Sequence, residues 1–327
     1  APPWGIEYRI DTVNAFVALI VTGMAAITLP YALRSVEQEI PEDKLSLFYA
    51  TLLLCMDGLL GITLTGDIFN LFVFLEISSL SSYALISMGS QRRALTAAYQ
   101  YLIMGTIGAT FLLIGIGLIY AETGTLNMMD LSSRLPAVFE HHTVHTAFAF
   151  IIVGVGLKLA MFPLHLWLPN AYTYAPSAVT VFLAATATKV AVYVMLRLVF
   201  TVFSIGFAYV TPTNDMFMLL GVLGVIVASV YAINQHDAKR LLAYSSVAQI
   251  GYILMGMGFA SALGLTASVV HIFNHALMKG ALFMAVGALV YRIGYSQISQ
   301  FKGLGRQMPW TFAALVIAGL SLIGVPG

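Results

Sequence analysis

Long apolar runs recur along almost the whole chain, and they decide what it can fold into. Bounded by charged or Pro/Gly-rich breaks, they lie near residues 12–33, 46–64, 68–88, 97–120, 146–168, 177–197, 215–233, 241–259, 263–290 and 310–327. A bilayer span takes roughly 20 apolar residues, so the pattern predicts nine complete spans and the start of a tenth. In hydrocarbon the backbone must satisfy its own hydrogen bonds, which makes such segments helical. Composition agrees: 60% of the 327 residues are hydrophobic and 9% are charged, against about 25% charged in soluble domains. A nucleic-acid binder, a disordered chain and a secreted disulfide scaffold are excluded. Cys55 is the single cysteine, so no internal disulfide can form. The expected fold is an all-α polytopic membrane protein. The Ala-Pro-Pro start and the stop at Gly327 inside an apolar run read as a piece of a longer chain.

Span parity then assigns each basic residue to a side. Arg34, Lys44, Arg92, Arg93, Lys239, Arg240, Arg292, Lys302 and Arg306 share one side, while Arg9, Arg134 and Arg197 share the other. Nine against three is a positive-inside bias, which predicts an inner (cell) membrane protein with this chain's N-terminus outside. Between spans, only 121–145 is a substantial loop, with His141, His142 and His145. It reads as solvated, because no Cys or spaced acid completes a metal site. Trp4 to Ile10 alternates weakly and suggests a short interfacial strand.

Lys158, Lys189 and Lys279 remain, all inside apolar runs. Each cation at bilayer depth costs roughly 2.5–3.5 kcal/mol even on insertion scales, so such residues are seldom structural. Three of the six lysines lie at this depth and none of the nine arginines does. An ammonium can release its proton when desolvated, whereas a guanidinium stays charged. That choice of cation points to proton movement.

Spacing sharpens the reading. His271, His275 and Lys279 fall on one helical stripe, suited to relaying a proton. A zinc site would need a third ligand, and His-Glu-x-x-His is absent. Glu76 sits mid-span before Ser78, Ser79, Ser81 and Ser82, small residues that allow close packing, and its carboxylate wants a cationic partner. The fifth span carries Lys158 and then Pro163, His165 and Pro169, which predicts a broken helix. Broken helices mark ion sites in transporters built from inverted repeats. Two units of five spans follow: 1–45 holds the N-terminal segment and first span, 46–200 the first repeat, and 201–327 a second repeat cut at its own break, Gly324-Val-Pro-Gly327.

Lys158-Leu-Ala-Met-Phe-Pro-Leu-His-Leu-Trp-Leu-Pro, Phe182 to Tyr193, Ala238 to Gly251, and His271-Ile-Phe-Asn-His-Ala-Leu-Met-Lys279 resemble the antiporter-like subunits of respiratory complex I and Mrp-type cation/proton antiporters. Thr65 to Glu76 looks most like the D-type subunits of the Mrp antiporters. The resemblance covers nearly the whole chain. It implies about fourteen helices in a complete protein, of which about ten are present here.

The resemblance further implies that Glu76 pairs with Lys158. Lys189, His275 and Lys279 then continue a proton path whose last ionisable residue lies beyond Gly327. Asp57, Asp67, His165 and His271 are candidate relay or ion contacts. The implied activity is proton translocation within a multi-subunit sodium, or other monovalent cation, antiporter, with other membrane subunits as partners. The alternative is a proton-pumping subunit of complex I (NADH:quinone oxidoreductase) or of a related membrane hydrogenase. The chain holds no Gly-x-Gly-x-x-Gly, no P-loop and no cysteine set for an iron–sulfur cluster, so no cofactor and no catalytic residue is expected on it.

Overall fold

The computed structural model describes residues 5–325, and each apolar run of the sequence carries helix. In chain order the helices are α1 (Thr12–Glu39), α2 (Leu45–Leu64), α3 (Ile68–Ser87), α4 (Arg93–Thr123) and α5 (Met128–Arg134). They continue as α6 (His142–Lys158), α7 (Trp167–Tyr174), α8 (Ser177–Ala185), α9 (Ala187–Leu196) and α10 (Ser204–Val210). The rest are α11 (Thr213–Ile233), α12 (Ala238–Gly258), α13 (Ala262–Ile293), α14 (Leu304–Gln307) and α15 (Pro309–Leu322). Among the described residues, eight helical segments are long and apolar enough to cross a membrane, and α6 and α15 are shorter apolar helices. The chain is an all-helical, multi-pass membrane protein.

At the centre lies the segment of α8 and α9, 94% buried along its apolar window. Around it α1, α2, α6 and α13 pack directly. Helix pairs approach closely where glycine faces backbone. A Cβ on Gly154 would come within 2.6 Å of the Gly108 carbonyl, and one on Gly251 within 2.7 Å of the Gly221 carbonyl. Small residues at such crossings let backbones meet where lipid offers no hydrophobic drive.

One local arrangement occurs twice. Asp67 caps α3, accepting from the Asn70 amide at 2.7 Å. The chain beside it pairs with the turn after α4, through Ile68 to Leu126 at 2.9 Å and Met128 to Gly66 at 2.8 Å. Asp237 caps α12 in the same way, accepting from the Arg240 amide at 3.0 Å. Its flank pairs with the turn after α13, through Ala238 to Ser296 at 2.8 Å and Ile298 to His236 at 3.0 Å. Both long helices stop at a left-handed glycine, Gly124 or Gly294, the usual C-terminal device.

Three local expectations need adjustment, and a fourth falls partly outside the described residues. The fifth run is not helical throughout: α6 stops at Lys158, and an irregular stretch precedes α7. The break therefore starts at the lysine rather than at Pro163. The 121–145 loop is partly structured, because Asn127 caps α5, and Met128, Leu131 and Leu135 are buried. Of the opening segment, Tyr8 alone makes a β-bridge, to Thr65, and Trp4 lies outside the described residues. At the far end α15 runs into a left-handed Gly324, while Pro326 and Gly327 lie outside the described residues.

Candidate functional site

Each intramembrane lysine sits against a backbone carbonyl or a carboxylate. Lys158 is the last residue of α6, where the negative end of the helix dipole favours a cation. Two residues on, Ala160 adopts a left-handed φ of 59°, which ends the helix sharply. The Trp167 indole donates to the Leu157 carbonyl at 2.9 Å, beside the longer 3.2 Å bond from the Ala160 amide. The Lys158 ammonium donates to Glu76 Oε1 and to Ser79 Oγ, each at 2.9 Å. Lys158 is 4% exposed at its side chain and Glu76 25%, so the pair is almost fully desolvated on the cation's side.

Beside this pair lies a cavity of about 30 Å³, lined by Ser79, Ser82, Tyr101 and Lys158 and, across from them, by Ala187 and Val190 of α9. A water needs roughly 10–15 Å³, so the space admits one. Helix α9 also carries Lys189, 1% exposed. It follows a second break, at Thr186, whose φ and ψ of −124° and −58° leave the helical region. No proline or glycine stands there. Thr186 Oγ1 donates to the Phe182 carbonyl at 2.7 Å, a bond back to the preceding turn that bends helices. The Lys189 ammonium donates to the freed Ala184 carbonyl and, at 3.4 Å, contacts Thr188 Oγ1.

Lys279, wholly buried, donates to the Leu242 carbonyl at 2.9 Å and to Ser245 Oγ. That carbonyl also accepts from Ser245 and Ser246, at 2.9 and 3.0 Å. One turn before Lys279, the His275 ring is fully buried and neither nitrogen has a protein partner. Buried polar atoms rarely stay unpaired, so this ring calls for water. It stacks on His271 at 6.1 Å between centroids. His271 Nε2 meets Gln249 Oε1 at 2.7 Å, at the wall of a cleft of about 540 Å³ between α12, α13 and the end of α15. The stripe thus leads from an open cleft to a sealed lysine. Neither Lys189 nor Lys279 has a carboxylate partner among the described residues.

The remaining expected contacts have other placements. His165, 4% exposed, lies in the irregular stretch, stacks on Phe162 at 5.5 Å and leaves Nδ1 unpaired. Asp67 is held as the α3 cap. Asp57 is exposed on α2 and makes no ion pair among the described residues. In the 121–145 loop, His141 pairs with Glu122 at 2.9 Å and His145 lies on Phe207. Sequence reasoning missed Thr186, Trp167, Ser245 and Gln249 as parts of the site. It took the Ser78–Ser82 run as packing, whereas Ser79 also holds the ammonium.

Residues 65–327 match the family described as NADH:quinone oxidoreductase/Mrp antiporter, TM. The chain is 44% identical over 325 residues to the N subunit of the NADH-quinone oxidoreductase of Desulforudis audaxviator, covering 99% of this chain and 64% of the relative. Against the D-type subunit of the Na(+)/H(+) antiporter of Alkalihalophilus pseudofirmus it is 29% identical over 324 residues, with 99% and 64% covered. A chain of the archaeal membrane-bound sulfane sulfur reductase, a respiratory membrane complex, superposes with a TM-score of 0.90 at 34% identity, with 99% and 65% covered. The chain spans just under two thirds of these relatives. Its likeness to the antiporter's D-type subunit, expected from Thr65 to Glu76, is weaker than its likeness to the oxidoreductase's N subunit. With the family match covering the broken helix, Lys189 and the His271–Lys279 stripe, the chain belongs to the antiporter-like membrane subunits shared by NADH:quinone oxidoreductases and Mrp antiporters.

Proposed function

We propose that the chain is the proton-translocating part of a membrane subunit in a redox-driven respiratory complex. The observation that carries this reading is the Glu76–Lys158 pair, 2.9 Å apart at the end of a broken helix. The 44% identity to an oxidoreductase N subunit favours the redox-driven setting. A neighbouring carboxylate holds an ammonium charged, and an ammonium left alone in a dry site gives up its proton. Closing and opening the pair therefore loads and releases Lys158. Through the adjoining cavity the proton passes to Lys189, and then by way of His275 to Lys279. The redox centres would belong to other subunits.

Topology follows the same reading. The two capped turns at Asp67 and Asp237 are separated by five crossings, which supports inverted repeats at 46–200 and 201–327. The nine-to-three distribution of basic residues supports an inner-membrane protein whose chain starts outside.

The second reading, proton-coupled transport of sodium or another monovalent cation, is favoured by the 29% identity to a D-type antiporter subunit. Purifying the intact complex separates the two. Flavin and iron–sulfur absorbance, with proton uptake driven by an electron donor, is the expected result. A colourless complex that exchanges sodium for protons would overturn the first reading in favour of the second.

A further inference from the structure

Helix α1 carries a polar stripe that the relay does not use. Thr28, Tyr31, Ser35 and Glu39 follow one another at helical spacing, on the face turned to α8 and α13. Glu39, half-buried, is the last residue of α1. Its Oε2 accepts from the Ser177 amide at 2.8 Å, at the start of α8, and its Oε1 accepts from Ser35 Oγ at 3.0 Å. Glu39 also lines a polar pocket of about 190 Å³, on the side where most arginines and lysines lie, together with Gln38, Ser90, Gln91, Lys239 and Ser296. Lys239, 5% exposed, reaches into the same region and donates to the Ala175 carbonyl at 3.2 Å.

Inward from the pocket the polar groups have no partners. Ser177 Oγ, Tyr31 OH and Thr28 Oγ1 are all buried without a hydrogen bond. Tyr31 OH and Ser177 Cβ close on one point, Gly287, where an added Cβ would lie 2.0 and 3.0 Å from them. Deeper still, Thr28 borders a small void with Phe182, two residues before the Ala184 carbonyl that holds Lys189. Beyond Thr28 the seam is closed by Met24, whose methyl group lies against Gly280 and close to Ala185. Three orphaned hydroxyls in one seam are unusual, since buried polar groups are normally paired by protein or water. A row of waters would satisfy all three.

We propose that the Glu39 pocket is a proton intake, from which water along Thr28, Tyr31 and Ser177 leads to Lys189, with Met24 as the closure. Glu39 would collect protons at the mouth, and the backbone bond from Ser177 fixes it there. This rests on the proton-translocation reading and supplies the same relay at Lys189.

The test uses the intact complex in inside-out vesicles, with Glu39→Gln, Tyr31→Phe and Ser177→Cys, and Lys158→Ala as reference. Glu39→Gln and Tyr31→Phe should each lose most of the proton flux while the subunit still assembles. Ser177→Cys should react with a small charged methanethiosulfonate reagent from the arginine- and lysine-rich face and not from the other. Wild-type flux in both Glu39→Gln and Tyr31→Phe, with Lys158→Ala inactive, would overturn the intake and leave the relay standing. Lost flux with an unreactive Ser177→Cys would overturn it too, by making Glu39 only a cap for α8. Normal flux in Lys158→Ala would remove the reading on which the intake rests, and the intake with it.

Discussion

The Trp167 indole and the Leu157 carbonyl meet at 2.9 Å across the gap that opens after Lys158. Apart from that bond, the carbonyl has only the Ala160 amide, at 3.2 Å, in a dry interior beside a charged pair. Trp167 also stacks face to face on Tyr101, with centroids 3.8 Å apart. The ring thus braces the break from two directions.

Trp167→Phe should keep part of the stack and lose the bond. A hydrogen bond of this kind contributes about 0.5–1.5 kcal/mol. The subunit should therefore unfold at lower temperature in detergent while still inserting. Unchanged thermal stability would mean that the Ala160 amide alone satisfies the Leu157 carbonyl.

Lys158→Ala should abolish proton translocation without preventing assembly. Lys158→Arg should fail as well, because a guanidinium does not release its proton. Proton flux in vesicles measures both, and normal pumping by the arginine variant would show that charge alone suffices at this position.

Asp11 allows a prediction with pH. It caps α1 through the Val13 and Asn14 amides and meets Arg197 at 2.5 Å. Burial works to raise its pKa, but the Asn14 amide and Arg197 outweigh that effect and hold the carboxyl below its ordinary value. For an acid lowered by folding, the stabilisation is complete above the unfolded pKa and is lost as pH falls through the folded one. Asp11→Ala should cost about 0.5–2 kcal/mol at neutral pH, as lost caps do, and less in acid. Asp11→Asn keeps a capping side chain, so it should be milder and flatter with pH. Equal losses for both variants at every pH would contradict this.

Orientation is open to direct labelling, because Cys55 is buried and a new thiol reports alone. Ser133→Cys, on α5 within the 121–145 segment, should react with an impermeant reagent added from outside the cell, and Arg92→Cys should not. The reverse pattern would invert the topology and the direction of the relay.

How far the sequence could be read depended on the kind of signal. Apolar run length placed the helices because the bilayer imposes it on every span. Lys158, Lys189 and Lys279 stood out because charge at that depth is costly. The break at Thr186 did not, since Ala-Ala-Thr-Ala-Thr contains no residue that forbids helix, and only the Thr186 hydroxyl bond to Phe182 reveals it. Similarly, nothing in the spacing assigns Ser245 to Lys279, because the two lie on different helices. Asp57 and Asp67 both read in sequence as acids in or beside the spans. Only the fold separates an exposed side chain from a helix cap.

The Glu76–Lys158 pair carries the last prediction. Glu76→Gln leaves Lys158 as a cation at bilayer depth with Ser79 as its remaining side-chain partner. Breaking one member of a buried pair typically costs roughly 3–5 kcal/mol. A lysine escapes most of that cost by giving up its proton, so the variant should fold yet load poorly. Flux should drop sharply, and the residual activity should move to lower pH, where Lys158 can still be charged. Lys158→Gln should leave Glu76 less stranded, because that carboxylate is partly exposed. The double variant should insert at least as well as either single one and stay inactive. A double-mutant cycle on stability in detergent measures the coupling. Strictly additive losses would mean that the 2.9 Å contact contributes no coupling energy, and the loading step would then have to be assigned to Lys189 and its freed carbonyl.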